Sequence, residues 1–160
     1  DNEKKDDFVK ARSIAYRMLA ARRRTGWEVE RRLQEKGFEP EVSRRVVDCL
    51  KNYGFIDDAE FARCWVDWRL GKSGAVGLRR ELSAKGVAPE IIDKTLGVLD
   101  DEAEYKAALA LAKKQMTRRG GNYPLLKLAG FLERRGYSYD VVGRICRTLV
   151  DKSGFSLDSF

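Results

Sequence analysis

Three groups of residues in this chain have types and spacings that could do chemistry. Gly71-Lys72-Ser73 ends like a phosphate-binding loop, but the earlier glycine of such a loop would fall at Val66, and a Trp-rich helical stretch precedes it where a strand is required. Gly71, Gly74 and Gly77 therefore read as a loop and the weak start of a helix. Asp57, Asp58 and Glu60 could be taken for an acidic or metal-binding cluster. At a helix N-terminus they instead complement the dipole, with Asp57 capping and Glu60 reaching back. Trp65 and Trp68 share a helix with Phe61 and read as core, not as a base-stacking pair. The chain has no histidine, which removes the usual general base, the Ser-His and Cys-His pairs and the commonest metal ligand. No catalytic residue, metal or cofactor is expected.

Cations are the more informative group. The 160 residues carry 32 Lys and Arg against 25 Asp and Glu, a net charge of +7. The excess is uneven: 13 basic against 10 acidic residues in 1–50, 8 against 8 in 51–100, and 11 against 7 in 101–160. Such a balance favours acidic partners, chiefly nucleic acid. Cys49, Cys64 and Cys146 match no redox pair and no zinc spacing, and their sparse, odd count fits a reducing cytosol. Each lies in an apolar helical pattern and reads as a small core hydrophobe. A hydrophobic content of 43% supports a core, while no uncharged run approaches a membrane span. No charged-then-apolar leader opens the chain, and the missing initiator Met is expected of a shortened chain.

The elements that must position these residues come in three copies. Leu33-Gln-Glu-Lys-Gly37-Phe38-Glu-Pro40-Glu-Val42 recurs 49 residues on as Leu82-Ser-Ala-Lys-Gly86-Val87-Ala-Pro89-Glu-Ile91. It returns 50 further on as Leu132-Glu-Arg-Arg-Gly136-Tyr137-Ser-Tyr-Asp-Val141. Each copy reads as a helix ending in a left-handed glycine, an apolar residue packing back, and a new helix, with Pro40 and Pro89 in its first turn. Val29, Leu78 and Leu128 precede the aligned leucines by four residues and share their helical face. Val46, Val47 and Leu50 align with Thr95, Leu96 and Leu99, and with Ile145, Cys146 and Leu149, as one buried stripe. An earlier helix in each copy carries Ala11, Ile14, Ala15, Met18 and Leu19; then Phe61, Ala62, Trp65, Val66 and Trp68; then Ala107, Ala108, Leu111 and Ala112. Thr25 with Glu28 reads as a capping box.

The expected fold is all-α: three tandem three-helix repeats, residues 10–55, 56–101 and 102–150, in an elongated, curved array. A polar lead occupies residues 1–9 and a poorly ordered tail 151–160. Units this small share contact surfaces with their neighbours. Basic residues recur with the repeat. Arg31 aligns with Arg80, and Lys36, Lys85 and Arg135 form an equivalent set beside the repeated glycine. Arg22-Arg23-Arg24 ends the first helix of copy one, as Arg118-Arg119 does that of copy three. Recurrence at equivalent positions would make a regular row, suited to tracking a phosphate backbone.

The order Arg24-Thr25 with Glu28, then Lys36-Gly37-Phe38, then Tyr53-Gly54-Phe55-Ile56-Asp57-Asp58-Ala59-Glu60-Phe61-Ala62, then Lys85-Gly86-Val87 closely resembles the bacterial RecX family. The likeness covers about residues 10–150 and is firmest through the first two copies; Trp27 stands where the family often has a polar residue. The resemblance implies tandem three-helix repeats and a non-enzymatic, cytoplasmic modulator of the RecA recombinase. Such proteins associate with RecA–DNA filaments and restrain ATP hydrolysis and strand exchange. The implied partners are the recombinase filament and single-stranded DNA, with double-stranded DNA a further one; no membrane is involved, and the chain is expected to be a monomer. The family's basic surface maps onto Arg24, Arg31, Arg32, Lys36, Arg79, Arg80 and Lys85, with Arg118, Arg119, Arg134 and Arg135 as weaker candidates. The rival reading is a stand-alone helix-turn-helix-like DNA-binding protein that selects duplex sequences, but no helix offers a clear exposed set of Asn, Gln and Arg for base edges.

Overall fold

The structure, a computed structural model, describes residues 2–153. Among these residues it is entirely helical. The order is α1 (Asn2–Ala21), α2 (Gly26–Glu35), α3 (Pro40–Asn52), α4 (Asp58–Arg69), α5 (Ala75–Ala84), α6 (Pro89–Gly97), α7 (Asp101–Arg118), α8 (Leu125–Arg134) and α9 (Tyr139–Ser153). The expected polar lead is helical, since α1 begins at Asn2 and Phe8 packs against the core. Residues 151–153, assigned to a tail, instead continue α9, and the remainder of that tail lies outside the described residues. No described helix is long and apolar enough to cross a membrane.

Local sequence explains the repeated hairpin. Gly37, Gly86 and Gly136 take φ of +93°, +75° and +82°, the left-handed region that costs glycine nothing. The residue after each closes the cap: the N–H groups of Phe38, Val87 and Tyr137 donate to the carbonyls of Leu33, Leu82 and Leu132 at 3.2, 3.1 and 3.2 Å. The glycine N–H groups donate to Gln34, Ser83 and Glu133. This is the Schellman pattern, made three times. Pro40 and Pro89 then open α3 and α6, and in the third copy Ser138 caps α9, accepting from the Val141 N–H at 3.4 Å.

The chain falls into two compact units. One joins the chain up to Trp65 to Leu82–Thr95; its core holds Ala11, Ala15, Val29, Leu33, Val46, Leu50 and Ile56. The other joins Val66–Glu81 to the chain from Leu96 on, around Ala108, Ala112, Leu128, Leu132, Tyr137 and Ile145. The aligned pairs Val29 and Leu33, Leu78 and Leu82, and Leu128 and Leu132 are all fully buried. Cys49, Cys64 and Cys146 are free and half-buried, and burial pushes the Cys146 thiol up from its ordinary value.

Each unit contains one seated helix N-terminus, built the same way in both. In the first, the Thr25 hydroxyl accepts from the Glu28 N–H at 3.2 Å and donates to the Lys85 carbonyl at 2.6 Å, while the Gly26 N–H donates to Asp58 Oδ1 at 2.9 Å. In the second, the Ser73 hydroxyl and the Gly74 N–H donate to the Arg135 carbonyl at 3.2 and 2.9 Å, and the Ala75 N–H donates to Glu104 Oε1 at 3.0 Å. The start of α2 thus rests on the end of α5, and the start of α5 on the end of α8. Close backbone approach is what the second joint requires of its glycines. A Cβ on Gly74 would lie 2.6 Å from the Gly136 oxygen and the Tyr137 Cα, and one on Gly136 would lie 2.3 Å from the Gly77 Cα. Gly74 and Gly77, read from sequence as loop and weak helix start, do stand at the start of α5 and are in addition packing residues.

Candidate nucleic-acid interface

Helix α2 buries Val29 and Leu33, which leaves Arg31 on its opposite, exposed side and Arg32 beside it. The Arg31 guanidinium lies over the Trp27 ring, 5.1 Å from its centre. Glu35 pairs with both arginines, taking Arg31 Nε at 3.1 Å and Arg32 Nη1 at 3.3 Å. Lys36 is the exposed C-cap of the same helix. Two arginines share one carboxylate here and Lys36 adds a third cation, so this face keeps a positive surplus against a phosphate backbone. Arg24, just before the Thr25 cap, is half-buried, and its buried Nε has no hydrogen-bond partner among the described residues.

In the other unit, Arg79 and Arg80 are exposed on α5, two and one residues from the half-buried Glu81. Arg118 ends α7 and Arg119 caps it, 6.0 Å from the Tyr123 ring centre. Arg134 ends α8, and Arg135 caps it, over the Phe131 ring at 5.1 Å with Nη1 donating to the Lys72 carbonyl at 3.4 Å.

Lys85 behaves differently from its aligned partners. Its ammonium turns inward to Glu28 Oε1 at 3.3 Å and over the Trp65 ring at 5.3 Å, so it ties a joint together. Burial opposes ionisation of Glu28. Hydrogen bonds from Arg22 and the Thr25 N–H, with the charges of Arg22 and Lys85, outweigh it and hold the carboxyl below its ordinary value. The capping box read from Thr25 and Glu28 is present in both directions. The one read from Asp57 and Glu60 is present only in half: Asp57 accepts from the Glu60 N–H at 3.0 Å, but the Glu60 carboxylate turns forward to Arg63 and Cys64. Asp58 serves another helix altogether, the start of α2.

Trp68 corrects the sequence reading. Phe61 and Trp65 do stack inside, 5.8 Å apart, but Trp68 is 60% exposed. Ala62 and Val66 set the inward face of α4, and the i+6 step from Ala62 to Trp68 turns the indole away from it. Arg69 and Lys72 lie over that ring at 5.7 and 5.3 Å. Sequence reasoning passed over Lys72; the signal was a lysine four residues after an exposed-phase tryptophan. Trp27 in one unit and Trp68 in the other are thus both exposed rings with cations over them. Among the described residues, no group of three or more potential ligands could hold a metal ion.

Comparison with known proteins agrees with this architecture. The family model for the first three-helix domain of RecX matches residues 11–50, and that for the second matches residues 57–96. The regulatory protein RecX of Clostridium perfringens (strain SM101 / Type A) is 32% identical over 153 residues, covering 92% of this chain and 72% of the relative. Those of Amycolatopsis mediterranei and Mycolicibacterium smegmatis are 36% and 39% identical, covering 81% and 82% of this chain and 77% of each relative. The crystal structure of RecX from Lactobacillus salivarius superposes with a TM-score of 0.80 at 24% identity over 90% of this chain and 97% of that one, a likeness of fold. A crystal structure of regulatory protein RecX gives 0.79 at 27% identity, over 88% of this chain and 73% of that one. With two domain models matched in order and relatives above 30% identity across most of both chains, the chain belongs to the RecX family of regulatory proteins.

Proposed function

We propose that this chain regulates the RecA recombinase, mainly as an inhibitor. It binds RecA–DNA filaments and restrains ATP hydrolysis and strand exchange in recombinational repair. It works as a non-enzymatic, cytoplasmic monomer, and its three repeats, residues 10–55, 56–101 and 102–150, act as successive contact modules. Single-stranded DNA is the main nucleic-acid partner and double-stranded DNA a further one. The observation that carries this reading is family membership joined to exposed basic residues in each unit, on α2 in one and on α5 in the other, where Arg31 and Arg80 recur at equivalent positions. Arg32, Lys36 and Arg79 extend this set. Arg24, Arg118, Arg119, Arg134 and Arg135 contribute further phosphate contacts, and Lys85 acts by holding the joint.

The test is ATP hydrolysis by RecA filaments growing on single-stranded DNA, with this protein added well below the recombinase concentration. Strong substoichiometric inhibition is expected, and charge reversal of Arg31, Arg32 and Lys36 together should weaken it. Unchanged inhibition by the folded triple variant would remove this surface from the mechanism, and no inhibition even at equimolar protein would overturn the filament reading. Binding to single-stranded DNA should weaken with salt, with a log–log slope of about −0.7 for each phosphate neutralised.

A further inference from the structure

The two internal joints define a receptor that occurs three times in the chain and is filled twice among the described residues. Its parts are a carboxylate four residues before a fully buried alanine, the carbonyl of a basic C-cap, the left-handed glycine after it, and the apolar residue that follows. Asp58 before Ala62, then Lys85, Gly86 and Val87, receive the start of α2. Glu104 before Ala108, then Arg135, Gly136 and Tyr137, receive the start of α5.

The first repeat carries the same set: Asp7 before the fully buried Ala11, then Lys36, Gly37 and Phe38. Here no described residue is seated. Gly86 has the Trp27 side chain 2.3 Å from where a Cβ would be, and Gly136 has the Gly77 backbone at the same distance, whereas Gly37 has nothing within 4 Å. Asp7 feels the charge of Lys10, but neither its carboxylate nor the Lys36 carbonyl takes a hydrogen bond from a described residue. Val87 and Tyr137 are buried, while Phe38 is only half-buried.

We propose that this face of the first repeat docks the N-terminus of a helix in a partner protein. The filled joints specify its chemistry. The helix opens with a Ser or Thr whose hydroxyl donates to the Lys36 carbonyl. A first-turn N–H, with the positive end of the helix dipole behind it, meets Asp7, and apolar surface lies across Gly37 and Phe38. A second copy of this chain is a poor occupant. Its α2 and α5 are already seated, α8 opens on Pro124, which has no N–H and makes no side-chain cap, and Ser138 at the start of α9 directly follows Gly136 and Tyr137, which close the joint on α5. The inference is independent of the DNA-facing reading above, because the face is defined by backbone acceptors and a carboxylate.

The test is an amide chemical-shift titration of the isotopically labelled chain. The probe is a synthetic peptide copying residues 22–35, held helical by a side-chain link between positions 31 and 35. Saturable shifts centred on Asp7, Gly37 and Phe38 are expected. Binding should weaken about fivefold or more when the peptide carries Thr25→Ala, since one hydrogen bond to a desolvated carbonyl is lost. It should be abolished by Asp7→Lys in the chain. Absence of saturable shifts at millimolar peptide, equal binding of the Thr25→Ala peptide, or shifts at Asp58, Lys85 and Gly86 in place of Asp7 and Gly37 would each overturn the proposal. Shifts of Gly37 and Phe38 that appear on concentrating the chain without peptide would assign the face to a second copy and overturn it equally.

Discussion

Thr25→Val is the most searching test of how the repeats are joined. The substitution nearly preserves volume at a side chain with no solvent exposure, so cavity formation contributes little. It removes two hydrogen bonds made by one hydroxyl. Loss of the N-cap bond to the Glu28 N–H costs about 1 kcal/mol. Loss of the 2.6 Å bond to the Lys85 carbonyl strands an acceptor in a joint also closed by Trp27, and costs about 1–3 kcal/mol more. Allowing for about 0.8 kcal/mol returned by the added methyl, the net is about 2 kcal/mol. With a urea m-value of about 2 kcal/mol/M, the unfolding midpoint should fall by about 1 M, read by far-ultraviolet circular dichroism. Thr117→Val is the matched control. Its hydroxyl returns to its own helix at the Lys113 carbonyl and is exposed, so the midpoint should hardly move. A Thr25→Val chain within about 0.5 kcal/mol of the parent would refute the argument that this hydroxyl carries the joint.

Three further outcomes follow from the same geometry. Gly37→Ala should cost about 1 kcal/mol, for backbone conformation alone, whereas Gly136→Ala should cost upward of about 3 kcal/mol, since its Cβ would also meet the Gly77 backbone; equal midpoint shifts in urea would contradict the close approach. Because the folded state holds the Glu28 carboxyl below its ordinary 4.5, the stability it contributes is present above that value and is lost as pH falls through the lower folded value. Glu28→Gln should therefore be less stable near neutrality and flatten the acid limb of stability against pH, and an unchanged acid limb would contradict this. Burial, with the Glu104 charge, pushes the Tyr137 hydroxyl up to about 12. The stability this phenol contributes is full below the ordinary value of 10 and is lost as pH rises through about 12. In a phenolate absorbance titration, one of the six tyrosines should ionise last, and Tyr137→Phe should remove that step.

Periodicity and punctuation were legible because they act locally. The glycine after each middle helix, the apolar residue behind it and the leucine pairs four apart encode hairpins whose hydrogen bonds lie within six residues. The capping box at Thr25 was readable for the same reason. The other roles of those residues were not. That the Thr25 hydroxyl also reaches Lys85, that Asp58 caps a helix 32 residues earlier in the chain, and that Gly74 and Gly77 are small because Gly136 lies against them all depend on what another repeat brings near. Charge behaved likewise. Sequence aligned Lys36, Lys85 and Arg135 as equivalents, yet only a neighbouring carboxylate decides that Lys85 turns to Glu28 while Lys36 faces water. Trp68 was placed in the core by its company and out of it by helical phase. The amino-acid order by itself determined the all-helical repeat, because short-range hydrogen bonds and one apolar stripe per helix suffice for it. Which polar groups are spent on joints, and which stay exposed, was decided only when tertiary contact fixed the distance between acceptors and donors far apart in the chain.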